Sequence, residues 1–381
     1  MRRALILLLA LSSLIGCRPV PQPAASSPLA STPTGTAAPT DAVALLPAPL
    51  YFVGANSGQL MRMERDGATV RQVTNEPSRI DDFAVSPTDS TLAYTTNNTL
   101  IQSEAFGGNR IVKVKGESNT QASGIDSYIM RVRRPIFSPD GKQIAFALKG
   151  VNLIETGEAT SYWNVLPKGD NSDEILAEFF EPTPGWSSDG TKLWVHRVGS
   201  GWTKLAGILD LATGELQFPS GYPTYLFDLG AVWSKDGSFI VTRGELIKVD
   251  ATTMESRLVN DRWQMNWQEE PFQIAVDLVL TDDGRWIALV GMWPSRAYGI
   301  AEVEIETGEP HWFSRRDRDG TSSGILAPNG SGALLGHARE SDNRIDALFW
   351  WPVSADGPVA LTIGDLAIDI PPMFKWGVAP K

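Results

Sequence analysis

Few residues in this chain have the types and spacing that chemistry requires. Ser322 sits in the run Gly320-Thr321-Ser322-Ser323-Gly324, the G-x-S-x-G letters that expose a nucleophilic serine on a sharp turn. That turn works only between a strand and a helix. Here a charged run, Arg315 to Gly320, precedes the serine and the strand-like Ile325-Leu326-Ala327-Pro328 follows, so no nucleophile is expected. His196, His311 and His337 stand far apart and outside any spacing of metal ligands. Asp317 and Asp319 open like a calcium loop, but the later acidic ligand is missing. The residues therefore predict no catalytic centre, no metal site and no cofactor.

What remains is chemistry of recognition. Three long stretches, 116–134, 218–230 and 259–277, carry Arg131, Arg134, Tyr222, Tyr225, Trp263 and Trp267. Aromatic rings with a polar edge, interleaved with arginine, suit protein interfaces and sugar-stacking surfaces. Asp82 and Asp277 are added as acidic candidates, because each falls four positions before the same point of a repeated turn.

That turn is the chain's ruler. The stretch "FSPDGKQIAFAL" (137–148) returns as "VSPTDSTLAYTT", "WSSDGTKLWVHR", "WSKDGSFIVTRG", "LTDDGRWIALVG" and "LAPNGSGALLGH". The residue aligned with Asp140 falls at 88, 140, 189, 236, 283 and 329, so the spacings are 52, 49, 47, 47 and 46. Each copy joins a tight turn to a run of strand period. Between copies, Thr-Gly-Glu recurs at 156–158, 213–215 and 307–309 as a second hairpin turn, with glycine at the position that needs φ > 0. Four antiparallel strands per period of about 47 residues predict a β-propeller blade. The segment 171–182 carries helix-like spacing, but the blade frame places a strand there.

The ends supply incomplete units. Residues 50–75 read as strands two to four of a unit, and "PPMFKWGVAP" reads as a lone first strand. Joined, they predict an all-β, seven-bladed propeller of four-stranded antiparallel blades, closed by N- and C-terminal strands sharing one blade; six blades is the alternative. Its tight turns would lie on one face and its long loops on the other. Residues near Asp82, Arg134 and Asp277 would then approach the central axis.

The first residues, "MRRALILLLALSSLIGC", have the charged start, apolar run and small residues of a secretory signal peptide. Leu14-Ile15-Gly16-Cys17 resembles the lipobox of bacterial lipoproteins, which implies that Cys17, the single cysteine, is the lipid attachment point. The expected organisation is a signal peptide over 1–16, a Pro/Ala/Ser/Thr-rich disordered tether over 17–48, and the propeller over 49–381. A net charge of −11 argues against nucleic acid as a partner. The S-P-D-G-x-x-I-A-F pattern resembles the WD40-like repeats of TolB-type propellers, related to those covering prolyl oligopeptidases. The resemblance implies a blade, not an activity. The expected protein is a non-catalytic, extracytoplasmic binding or scaffold protein of the bacterial envelope, membrane-bound through its lipid alone. It would recognise an envelope protein, a peptide or a glycan through the loop-rich face. The alternative is a propeller glycosidase or lyase with acids at the channel rim.

Overall fold

The computed structural model describes residues 44–115, 132–148, 151–156, 185–198, 204–221, 230–263, 272–293, 297–316, 321–339, 344–355, 357–363, 368–369 and 374–379. The repeated turn explains its own sequence. Ser138 Oγ donates to Asp140 Oδ1 at 2.6 Å, the same oxygen accepts Lys142 N–H at 3.0 Å, and Gly141 takes φ +73°. The bonds recur from Ser187 to Asp189 at 2.6 Å, from Ser234 to Asp236 at 2.7 Å, and from Thr281 to Asp283. Serine, aspartate and glycine thus each satisfy or permit one part of a tight reversal, leaving the flanking apolar residues to pair.

Among the described residues the strands form seven sheets. Sheet 1 combines Phe374–Trp376 with Leu50–Val53, Leu60–Met63 and Val70–Gln72. Sheet 2 is Ile80–Val85, Leu92–Thr96, Thr99–Ser103 and Ile111–Lys115; sheet 3 is Val132–Phe137, Gln143–Leu148 and Val151–Thr156. Sheet 4 is Gly185–Trp186, Lys192–Val198, Lys204–Asp210 and Leu216–Gln217. Sheet 5 is Ala231–Trp233, Phe239–Thr242, Ile247–Asp250 and Glu255–Leu258, with Ser220–Gly221 added in parallel. Sheet 6 is Phe272–Leu280, Trp286–Trp293, Ala297–Glu304 and Glu309–Arg316. Sheet 7 is Thr321–Leu326, Gly332–Arg339, Arg344–Pro352 and Val359–Leu361, with Ile368–Asp369 against its third strand.

Each sheet packs face to face on the next, so inner strands are apolar on both sides; all five residues of Leu92–Thr96 are buried. Tyr51 and Val53 of sheet 1 meet Phe83 and Tyr94 of sheet 2, and Ala93 and Leu100 meet Ile144 and Phe146 of sheet 3. Further round, Ala145 meets Leu193, Trp194 meets Ile240, Val241 meets Ala288, and Leu289 meets Leu335. The last step brings Leu334 and Leu348 of sheet 7 onto Leu50 and Phe52 of sheet 1. The ring closes there. Leu50 pairs with Trp376 and Phe52 with Phe374, and Trp376 Nε1 donates 2.8 Å to Leu326 O of sheet 7.

This is an all-β propeller of antiparallel blades whose two chain ends share a sheet, as expected. The number of complete four-stranded blades is corrected from seven to six among the described residues. Sheet 3 shows three strands there, and 157–184 lie outside the described residues, as does the strand expected at 171–182. The irregular first repeat also has a reason. Ser90, at φ 60°, turns its hydroxyl to accept the N–H of Val378 at 2.8 Å, tying the repeat to the C-terminal segment.

Candidate functional site at the ring axis

The first strand of each sheet lies innermost, and four of these strands break register at a corresponding place. The shifts fall between Ile80 and Asp82, Arg133 and Ile136, Ala275 and Asp277, and Thr321 and Ser323. A bulge there re-aims the side chain that follows it. Asp82 and Asp277 each turn back so that Oδ1 accepts the N–H of the next residue, Phe83 at 2.8 Å and Leu278 at 2.9 Å. Their second oxygens cross to the following sheet. Asp82 Oδ2 accepts Arg134 N–H at 3.0 Å, and Asp277 Oδ2 accepts Leu326 N–H at 2.8 Å. Each carboxylate is thus a staple between neighbouring inner strands, satisfying backbone donors that a ring of separate sheets would otherwise leave unmet.

Among the described residues, three cations face this pair. Arg243 Nε lies 3.2 Å from Asp277 Oδ1, and its Nη2 donates 3.4 Å to Leu278 O. Arg134 holds φ 56° at the sheet 3 bulge, where its N–H reaches Asp82. Lys375, from the middle of the closing strand, feels Asp82, Arg243, Asp277 and Arg134 together. Those residues belong to sheets 2, 5, 6 and 3, and a sheet 1 side chain can be near all of them only at the axis. Burial lowers the Lys375 pKa below the ordinary lysine value, against the pull of Asp82 and Asp277. Burial likewise raises that of Asp82, against Lys375 and the N–H groups of Phe83 and Arg134.

The sequence candidates divide accordingly. Asp82, Arg134 and Asp277 converge at the axis, whereas Arg131, Tyr222, Tyr225 and Trp267 lie outside the described residues. Trp263 is corrected. It is fully buried, in the short 3-10 turn Asp261–Trp263, and its Nε1 donates 2.9 Å to Gly308 O of the next sheet's outer turn. No ring face is left for a partner. Arg243, at the end of the repeat copy 233–244, and Lys375 were missed because the turn positions alone were counted; the lone cation in the orphan strand "FKW" was the available signal for Lys375. At the other end of the inner strands, a cleft of about 310 Å³ is lined by Trp186, Trp233, Lys235 and Asp282. Two of its donors bridge adjacent sheets: Trp233 Nε1 to Gly185 O at 3.0 Å, and Lys235 Nζ to Asp282 O at 3.1 Å.

Among the described residues, no group of three or more His, Cys, Asp or Glu is arranged to hold a metal ion. No helix among them is long and apolar enough to cross a membrane. No family model matches the sequence, and no curated protein does.

The solved structures share its fold. A puromycin hydrolase S511A mutant complexed with PGG superposes at TM-score 0.55 and 14% identity, covering 86% of this chain and 53% of that one. The chain therefore spans about half of that hydrolase. An oligogalacturonate lyase in complex with manganese gives 0.54 at 13% identity, covering 83% and 85%. TolB from Acinetobacter baumannii gives 0.48 at 15%, covering 88% and 67%. At these identities the likeness is one of fold.

Proposed function

We propose that the protein is a non-catalytic recognition propeller of the bacterial cell envelope. Cys17 carries the lipid anchor and residues up to 48 form the tether. The ring engages an envelope protein, a peptide or a glycan through its axial mouth and loop-rich face. Arg131, Arg134, Tyr222, Tyr225 and Trp267 are the proposed contacts.

The observation that carries this reading is the use made of Asp82 and Asp277. Both sit at the axis, where the enzymatic alternative would place its acid and base. Yet all four carboxylate oxygens already accept backbone N–H groups. Protonating an oxygen for acid catalysis would weaken an inter-strand staple, so these acids support the ring better than they support turnover. The second reading, a propeller lyase, is favoured by the shared fold of oligogalacturonate lyase.

Capture of envelope components by the immobilised full chain tests the proposal. A captured set that shrinks in a Tyr222→Ala/Tyr225→Ala variant supports it. An empty capture by the parent chain, together with cleavage of an acidic polysaccharide, replaces it with the lyase. For the anchor, Cys17→Ala should move the protein from the membrane fraction to the soluble one.

A further inference from the structure

The repeated turn departs from its own pattern on three neighbouring blades. Its second position holds proline in three copies, Pro87, Pro139 and Pro328, the residue that presets the backbone there. In the copies of sheets 4, 5 and 6 the same position holds Ser188, Lys235 and Asp282. Their side chains link one blade to the next. Ser188 Oγ donates 3.0 Å to Lys235 O, and Lys235 Nζ donates 3.1 Å to Asp282 O. The series ends at Asp282, whose carboxylate has no partner among the described residues. The same three turns line the cleft of about 310 Å³, a volume at the small end of the range for ligand sites. Its walls break the pattern too, since tryptophan precedes the turn only at 186 and 233. Trp233 is buried, with Nε1 bound to Gly185 O. Trp186 is half-buried with its Nε1 shut inside, so the part of its side chain open to solvent is carbon.

An indole surface beside one ammonium and one free carboxylate has the chemistry of a sugar site. Lys235 keeps its other N–H donors beyond the bond to Asp282 O, and the Asp282 carboxylate supplies acceptors alone. Adjacent ring hydroxyls donate and accept along one edge, so a diol answers both groups at once. A peptide amide turns its N–H and C=O to opposite sides and answers one. The rim carries both signs of charge, with exposed Asp236 and Asp283 next in sequence, which favours a neutral sugar over an acidic one. We propose that this cleft binds a neutral pyranose residue of a glycan, stacked on Trp186 and hydrogen-bonded by Lys235 and Asp282. The site lies at the other end of the inner strands from Asp82 and Asp277, so it is separate from the contacts proposed above and does not depend on them.

Calorimetric titration of the full chain with maltotriose, cellotriose and tri-N-acetylchitotriose tests this, with N-acetyl-Gly-Pro-Gly amide as the peptide control. At least one trisaccharide should bind, and the peptide should not. Lys235→Pro and Asp282→Pro install the residue that three other copies carry, so the turn should keep its fold while the rim group is lost. Each should weaken binding by about tenfold or more, as should Trp186→Val, which takes the residue of the first copy, Val85. Tyr222→Ala/Tyr225→Ala should bind the trisaccharide as the parent does. Failure of all three sugars to bind, unchanged affinity in Asp282→Pro, or equal binding of the peptide overturns the site. So does a sugar affinity that is lost in Tyr222→Ala/Tyr225→Ala. Should the proline variants fail to fold, the Trp186 indole resonances of the parent chain replace them. Resonances that ignore saturating trisaccharide overturn the site equally.

Discussion

Truncating Trp263 to alanine should destabilise the ring without touching a binding surface. The side chain is fully buried among Val241, Leu246 and Val259 of sheet 5 and Ala275, Trp286 and Ala288 of sheet 6. Removing a buried tryptophan costs about 3–5 kcal/mol through lost transfer energy and the cavity left behind. The indole N–H also caps Gly308 O at 2.9 Å, and leaving that carbonyl unpaired adds about 1–3 kcal/mol if no water replaces it. Trp263→Phe separates the contributions: most of the packing survives, the hydrogen bond does not, and the loss should be about 1–2 kcal/mol. Gly308 offers a control on the other side of the contact. At φ +71°, with Asn260 Cβ only 2.5 Å from where a Cβ would stand, Gly308→Ala should destabilise as well. Urea denaturation followed by tryptophan fluorescence and circular dichroism reads the order parent, Trp263→Phe, Trp263→Ala from highest to lowest midpoint. An unchanged midpoint in Trp263→Ala would refute the packing argument and return Trp263 to the surface.

Two further outcomes follow from the closure and the turns. Deleting residues 374–381 removes the partner of Leu50–Val53, the Trp376 bond to Leu326 O and the Val378 bond to Ser90. The bared apolar edge should drive self-association, read by light scattering; a monomer of parent stability would contradict ring closure. Acid should also weaken the fold through its turn aspartates. Hydrogen bonds from Ser138 to Asp140, from Ser187 to Asp189 and from Thr253 N–H to Asp250 hold those carboxyls below the usual range. The Ser238 N–H and the Ser234 hydroxyl lower Asp236 to about 2. Groups with folded values below their unfolded value of about 3.9 stabilise the fold above that pH and lose the contribution as pH falls through the folded values. The melting temperature should therefore decline between about pH 4 and pH 2, and a flat profile there would count against the turn bonds.

The repeat was legible because its chemistry is local. A serine, an aspartate two residues on and a glycine after it define a turn without reference to the rest of the chain in three copies, and three looser versions complete the period. Closure was legible by subtraction, since an orphan strand at one end matched a missing one at the other. The axis was legible in part. Counting back from each turn found Asp82 and Asp277, but the bulges that aim their oxygens across to Arg134 and Leu326 depend on tertiary pairing. Trp263 misled for a related reason. An aromatic residue in a long connection has the composition of a contact surface, and only its reach to Gly308 reveals it as a wedge between sheets. Lys375 had no repeat around it to give its position meaning.

The direct test of the account is the double variant Asp82→Asn/Asp277→Asn, examined together for stability and for cleavage of an acidic polysaccharide panel. Each amide turns one accepting oxygen into a donor that faces a backbone N–H, so the denaturation midpoint should fall while parent and variant alike cleave nothing. A parent that cleaves, and a variant that loses cleavage at unchanged stability, would show the two acids to be catalysts rather than staples.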